Sequence, residues 1–573
     1  MPPHPLARTA WRALPGAVLL AWIALFPPAI AVAADAATGA RHAAVAAPDE
    51  FGARTAMDVM RRGGNAVDAA VATAFVLAVT YPEAGNLGGG GFMMIYERGQ
   101  GSFLDYRETA PAAATRDMYL DEHGEVIKDA SVIGPRAAGV PGTVAGLWAA
   151  HQRYGRRPWR ELLRPAIALA RDGFIVPAAL AGRIQDARGS YAGLTDFDRY
   201  FGAVRAGERF RQPELAATLE RIAARGPDGF YRGRTAQRLV AQMGPKGLVT
   251  LRDLAGYRVK WREPLTATWR GLTLLTAPLP SSGGFALIEL LRMHDVLAPQ
   301  FAGLEHNSTQ YVHLIAEMEK RVFADRAEYL GDPDFVHVPI EKLIAPDYIA
   351  RRAAEVRPHE ISPVAAVKPG LAEGMHTTHF SILDADGNAV ANTYTLNDWF
   401  GDGVVVDGAG FLLNNEMDDF SAKPGTPNLY GVIGGAANAI EPGKRMLSSM
   451  SPTIALRDGH VALVVGTPGG STIFTSVFQT MLNIYDFHMS AQQAVAAGRF
   501  HHQLLPPDRI VYSICCALGA ESIAGLRALG YNPQPSPWEF GDVQAILVDE
   551  AGQVSAGSDP RGRGRSLVET MPR

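Results

Sequence analysis

A fold that mixes α-helices with β-strands (α+β) is predicted from three features of the chain. Residues 66–79 are apolar almost all round, the mark of a buried helix. Residues 141–260 carry mostly helical patterning with breaks at Gly and Pro. After Thr377 the texture changes to short alternating strands separated by Gly-Asp turns. The 573 residues, 47% hydrophobic and 20% charged, have the composition of a packed globular protein. Length alone allows several average domains. A net charge of −4 is small for this size and gives no reason to expect nucleic acid or an anionic membrane as partner.

At the N-terminus, Arg8 and Arg12 precede the apolar run Leu19–Phe26 and the small residues Ala29–Ala34. This is the layout of a secretory signal, residues 1–34, with cleavage after Ala33 or Ala34. A membrane anchor is the competing reading, but the apolar stretch falls short of the ~20 residues that span a bilayer. No later segment is long and apolar enough to span, so the mature protein is predicted to be soluble and exported, periplasmic or secreted. Cys515 and Cys516 are the sole cysteines. Neighbours in sequence seldom bridge, because their Cα atoms are only ~3.8 Å apart. The fold is therefore expected to rest on its core. The pairs His376/His379 and His501/His502 lack the spacing or cysteine partners of a zinc site, and neither metal nor cofactor is expected.

Asn65 is placed to cap the first buried helix, with Asp68 at the favoured third position. Gly88-Gly89-Gly90-Gly91 invites a phosphate-loop reading, yet it follows a helix and lacks the Gly-Lys-Ser/Thr ending. Tight backbone packing in a turn is the better account. Residues 308–330 are expected to form a long amphipathic helix, with Asn307 and Gln310 as a capping box. Residues 356–376 hold Pro358, Pro363, Pro369, Gly370 and Gly374 with little periodicity, which suits a linker or a flexible presenter of the bond before Thr377. A further helical stretch is expected from about Ser490, and no internal repeat is found.

Thr377 and Thr378 head the first strand of the second half. Most such pairs simply begin a strand. Here Phe380 and Ile382, then Ala389 and Ala391, keep a two-residue alternation on either side of Asp384-Ala385-Asp386-Gly387-Asn388, a hairpin signal. If the turn centres on Asp386, residues whose numbers sum to 772 face each other, and Thr377 lies opposite Thr395. A slip of one residue would send Thr395 to the other face. Cleavage before Thr377 would give it a free α-amine beside its own hydroxyl, with a reference pKa of about 7.7–8.0, able to act as general base.

Long motifs then carry a resemblance. The runs Thr377–His379, Gly387–Val390, Thr393–Asn397, Leu413–Ser421, Leu447–Thr453 and Gly466–Ser471 resemble the small subunit of the γ-glutamyltranspeptidase family. The runs Gly63–Ala70, Asn86–Phe92, Arg107–Pro111 and Ala324–Pro333 resemble its large subunit, so the likeness extends from about residue 41 to 560. It implies the four-layer αββα sandwich of N-terminal-nucleophile hydrolases. It also implies a precursor cut into a large subunit (35–376) and a small catalytic subunit (377–573) that pair with each other.

The implied activity is γ-glutamyl transfer from glutathione and other γ-glutamyl compounds to water or to amino-acid or peptide acceptors. Thr377 is the implied nucleophile and Thr395 its orienting partner. Gly469 and Gly470 supply backbone N–H groups for the oxyanion, a task for which glycine allows close approach. On its own a Pro-Gly-Gly run would be a plain turn. Arg107, Ser448 and Ser449 match the family's clamp on the substrate α-carboxylate. Alone they would pass for a surface arginine and a serine turn. Asn397, Glu416 and Asp419 match the acceptors for the α-ammonium, with Glu416 standing where some members have glutamine. The string around Glu416 would otherwise be an acidic turn, and it lacks calcium-loop spacing. Pro424–Gly431 resembles a lid loop, with Tyr430 over the bound glutamyl group, and Gly562–Arg565 departs from the family pattern. Two other readings stand beside this one: an acylase of the same fold acting on glutaryl or cephalosporin side chains, and an uncleaved, non-catalytic binding protein.

Overall fold

Alternation of side chains builds two antiparallel sheets that stack face to face. The computed structural model describes residues 41–367, 377–423, 435–536, 539 and 541–572. The signal segment, the end of the 356–376 segment and the lid loop with Tyr430 lie outside the described residues. The first sheet contains β1 (His42–Ala47), β2 (Gly90–Glu97), β3 (Gln100–Asp105) and β4 (Lys260–Arg262). The second begins with β5 (Leu265–Trp269) and β6 (Leu272–Thr276). The hairpin β7 (Thr378–Leu383) and β8 (Ala389–Thr395) returns to the first sheet. Strands β9 (Thr453–Arg457), β10 (His460–Gly466), β11 (Gln544–Val548) and β12 (Val554–Ser558) complete the second, and β13 (Arg565–Thr570) closes the first. The strand orders are β13-β1-β7-β8-β2-β3-β4 and β12-β11-β10-β9-β6-β5.

Three cores separate four layers. Ala44, Ala46, Phe92, Met94, Ala389 and Ala391 of the first sheet meet Ile454, Val464 and Ile546 of the second. On alternate positions Val45, Met93, Ile95, Phe380 and Ile382 face outward to α1 (Glu50–Arg61), α2 (Ala66–Thr80) and the helices around them. On the far side Leu274, Ala455, Leu463 and Val465 meet three helices: α3 (Gly283–Val296), α4 (Thr309–Tyr329) and α5 (Thr472–Tyr485). Period-two strands facing apolar helices on both outer sides give the αββα sandwich.

Helix α2 starts as expected, with a capping box in which Asn65 and Asp68 each bond the other's backbone N–H. The glycine run is packed backbone. A Cβ would stand 2.1 Å from Leu412 O at Gly88, 2.0 Å from Thr395 O at Gly89 and 2.5 Å from Tyr106 O at Gly90. Helix α4 differs from expectation in two ways. Ser308 is its N-cap and makes no side-chain capping bond, while Asn307 donates instead to Gly498 O at 2.8 Å. It is also buried on every side from Tyr311 to Ala327 rather than amphipathic. Three of its charges pair within the helix: Glu317 sits 2.8 Å from Lys320 and 3.0 Å from Arg321. Helix α5 was not anticipated, because its Thr, Ile, Phe and Val residues favour strands in isolation. The stretch from Ser490 holds two short helices, Ala491–Ala496 and Ala520–Leu529.

Gly89→Ala should destabilise the protein by about 1–3 kcal/mol, since its Cβ would press on the backbone carbonyl of Thr395 and on the Asn86 side chain. Thermal unfolding of the variant against the parent checks this, and an unchanged midpoint would mean that the turn is loosely packed.

Candidate functional site

The hairpin register puts two hydroxyls together at one end of the sheets. Pairs such as Thr378↔Tyr394 and Leu383↔Ala389 keep the sum 772 that the sequence predicts. Thr377, just before β7 and 5% exposed, directs its Oγ1 to Thr395 Oγ1 at 3.4 Å. Thr395 Oγ1 also accepts the Asn397 N–H at 2.7 Å, and Asn86 Nδ2 holds the Thr395 carbonyl at 2.8 Å. Asn397 itself adopts a left-handed φ of +76° and donates through Nδ2 to Asn415 O at 3.1 Å. Asparagine tolerates that conformation better than most residues.

Between β10 and α5 the chain turns through Gly469 (φ +136°) and Gly470 (φ +53°). A side chain at Gly469 would stand 2.4 Å from Thr472 Oγ1. The Gly469 carbonyl is taken by the Thr472 N–H at 2.9 Å and its hydroxyl at 2.7 Å. Among the described residues, no acceptor takes the N–H of either glycine. Both N–H groups are thus without an acceptor, and Gly470 lines the same cleft as Thr377. The positive end of α5 points from the same turn, which favours a developing anion.

Arg107 follows β3, its N–H bonded to Asp105 Oδ1 at 3.0 Å and its carbonyl to the Tyr257 hydroxyl at 2.8 Å. The side chain is 1% exposed. Its guanidinium donates to Glu416 and Asp419, and at 3.3 Å to the carbonyls of Met446 and Leu447. Burial raises the carboxyls of Glu416 and Asp419 above the ordinary range while the Arg107 charge lowers them. Glu108, also fully buried, is likewise raised by burial. Arg326 is depressed to about 10 by burial, with Asp419 pulling the other way. Its Nε donates to Ser282 Oγ at 2.9 Å, and Ser282 Oγ donates to Ser448 O at 2.7 Å and sits 3.4 Å from Ser449 Oγ. The two serines are thereby set by a buried cation behind them.

Every expected site residue within the described chain, except Gly469, lines one cleft: Arg107, Thr377, Thr395, Asn397, Glu416, Asp419, Ser448, Ser449 and Gly470. Gly469 is adjacent, and Tyr430 lies outside the described residues. The enclosed space is about 10 Å³, room for about one water. Among the described residues, no group of three or more His, Cys, Asp or Glu side chains is placed to hold a metal.

Several supports were missed in the sequence. Asn414 joins Gly88 O, the Gly139 backbone and the Glu416 N–H, while Asn415 bonds Val132 O and the Asp398 N–H. Together they fix the Glu416–Asp419 turn. Asn86, Ser282 and Arg326 were also overlooked. Asparagines inside glycine-rich and acidic runs were the available signal, because buried amides must find several partners. Arg563, in the stretch that departs from the family pattern, pairs with buried Glu83 and lies over Tyr81 at 4.1 Å.

The sequence model of the family described as gamma-glutamyltranspeptidase matches residues 52–568. A glutathione hydrolase proenzyme of Pseudomonas aeruginosa is 61% identical over 94% of this chain and 97% of its own. The solved gamma-glutamyltranspeptidase from Pseudomonas nitroreducens, complexed with L-DON, is 58% identical with a TM-score of 0.56. That match covers 56% of this chain and 97% of the solved one. A cephalosporin acylase from Bacillus halodurans shares the fold at a TM-score of 0.79, with 26% identity over 92% of this chain and 96% of its own. With the family model matching most of its length, the chain belongs to the γ-glutamyltranspeptidase family.

Proposed function

We propose that the protein is a self-cleaving γ-glutamyltransferase and glutathione hydrolase, cut before Thr377 into fragments 35–376 and 377–573. The observation that carries the reading is the meeting of Thr377, Thr395 and Gly470 with a paired cluster of buried charges in one cleft. After cleavage the Thr377 α-amine takes the hydroxyl proton as Oγ1 attacks the γ-carbonyl of the donor. Thr395 orients the hydroxyl, and the N–H groups of Gly469 and Gly470 receive the oxyanion. Each such donor is worth about 2.7–4 kcal/mol of barrier. The amine then returns the proton to the departing nitrogen, cysteinylglycine in the case of glutathione, leaving a γ-glutamyl ester on Thr377. Water, or the amine of an amino acid or peptide, attacks that ester in the second half-reaction.

The α-carboxylate of the substrate takes up Arg107, Ser448 and Ser449, and its α-ammonium takes up Glu416, Asp419 and Asn397. Arg107 already spans both acidic groups, so a zwitterion exchanges one set of ion pairs for another. Tyr430 is assigned as the cover of the bound glutamyl group. No cofactor takes part. The fragments remain together because β7 and β8 of the small one sit between β1 and β2 of the large one in a single sheet. Export to the periplasm or medium follows from the assigned signal, and no helix among the described residues is long and apolar enough to cross a membrane.

A glutaryl acylase would leave Glu416 and Asp419 facing a substrate without an ammonium, which a buried site penalises strongly. Comparing γ-glutamyl with glutaryl anilides decides between the two, and faster turnover of the glutaryl compound would overturn the assignment. A single intact band from purified protein on a denaturing gel would favour the non-catalytic binding reading.

Thr377→Ala should give a folded, uncut and inactive precursor, while N-terminal sequencing of the parent's smaller fragment should begin at Thr377. Fragments of normal size from the variant would assign the cutting to another residue. Arg107→Ala should raise KM on the order of 100-fold, as expected for loss of one partner of a buried charge pair, while cleavage still occurs. An uncut Arg107→Ala chain would place the residue in maturation instead. Acyl-enzyme formation should increase with pH and level off above about 7.7–8.0, because only the deprotonated amine accepts the proton. A profile that falls across that interval would exclude the amine as base.

A further inference from the structure

We propose that Cys515 and Cys516 form a reversible thiol–disulfide site that reacts with small-molecule disulfides and closes into a vicinal ring. They are the chain's two cysteines and occupy the turn between the strand Arg509–Tyr512 and the helix Ala520–Leu529. Both are free thiols, with Cys515 exposed and Cys516 half-buried. Their sulfurs lie 2.7 Å apart. Cys516 also borders an open surface cleft of about 640 Å³ with His306, Asn307, Met489 and Ser522. A buried cysteine commonly serves as a small apolar core residue, and neither of these belongs to a core cluster.

The turn that displays them is fixed. Glu539 accepts the Cys515 N–H and the Ser513 hydroxyl, the latter at 2.8 Å, and Arg561 Nε donates to Ser513 Oγ at 2.8 Å. The thiols thus face a reagent from a rigid platform. Desolvation and the contact with Cys516 raise the Cys515 thiol, so it is the slower to ionise and passes its proton to the departing thiolate in the second step. Cys516, which opens on the cleft, is the attacking sulfur. Its thiolate adds to one sulfur of the reagent, the reagent's S–S bond breaks, and one thiol leaves with a proton from solvent. Cys515 then gives up its proton and attacks the Cys516 sulfur, releasing the second thiol. The protein loses two protons and two electrons, and the reagent gains them. The second step outpaces any further reagent because its partner is already in place. Adjacent Cα atoms, ~3.8 Å apart, fall below the usual 4.4–6.8 Å of disulfides, so the ring opens readily to reductant. This chemistry is independent of γ-glutamyl transfer.

The test is mass spectrometry of the whole protein after treatment with bis(2-hydroxyethyl) disulfide. The expected product is lighter by two hydrogens, has no alkylatable thiol and returns to its starting mass with dithiothreitol. Cys515→Ser should stop at a single mixed disulfide on Cys516, and Cys516→Ser should react more slowly, on the order of tenfold. Two mixed disulfides on the parent, or no reaction at all, would overturn the site. Equal rates for the two single variants, with unfolding midpoints unchanged, would overturn the assigned roles.

Discussion

The pairing register of one hairpin governs the whole site. Moving β7 against β8 by a single residue would put Thr395 on the opposite face from Thr377. The register is locked at the far end by Asp384, which accepts the Asp386 N–H at 2.9 Å and the Asn388 N–H at 3.0 Å. Its other oxygen takes the Ala66 N–H at 3.0 Å, at the start of α2. A carboxylate is favoured there by the helix dipole as well as by the bond. One side chain therefore closes the turn and ties it to the outer helical layer. At the near end, Gly89 and Gly91 let β2 press against the backbone of Thr395 and Thr393, with no space for a Cβ. The two hydroxyls sit between these clamps.

The same hairpin explains how a chain could be cut next to its reactive residue without falling apart. β7 pairs with β1 through Ala44↔Leu383 and its neighbours, and β8 pairs with β2 from Ala389↔Tyr96 to Thr395↔Gly90. Separation of the fragments would break ladders on both sides and expose the apolar faces on both sides of the first sheet. Hydrogen bonds left unmade in a buried sheet are expensive. Cleavage before Thr377 changes one peptide bond and leaves that framework in place.

Much of this was legible in the sequence because it is local. The Asp-Gly turn, the alternation around it and the Asn65 cap each act within a few residues, whereas the glycine run signals close packing without naming its distant partners. What escaped was set by distant contacts. The charges of α4 look like a solvent face until Glu317 is seen between Lys320 and Arg321. The strand-like residues of α5 become helical because they pack beneath the second sheet. Arg107 was identified through a motif, but its engagement with Glu416 and Asp419 depends on residues more than 300 positions away. Asn86, Asn414 and Ser282 gave little individual signal, since their role is to satisfy backbone groups brought together only by folding.

If the cleft holds a γ-glutamyl group as proposed, its charge balance accounts for the kind of substrate it selects. Arg107 faces Glu108, Glu416 and Asp419, and Arg326 lies close to Asp419; all are buried except Asp419, whose side chain is 9% exposed. Burial raises the three carboxyls and lowers Arg326, so any unmatched charge added here meets a steep penalty. The α-amino acid end of a γ-glutamyl group carries one charge of each sign and adds none on balance. Its ammonium can relieve the carboxylates as its carboxylate occupies the arginine. A dicarboxylic acyl group supplies only the negative partner and would draw Arg107 away from Glu416 and Asp419 without replacing it. In the proposed enzyme, discrimination would thus arise from the cost of stranding these carboxylates, and the paired arginine is what would make that cost felt.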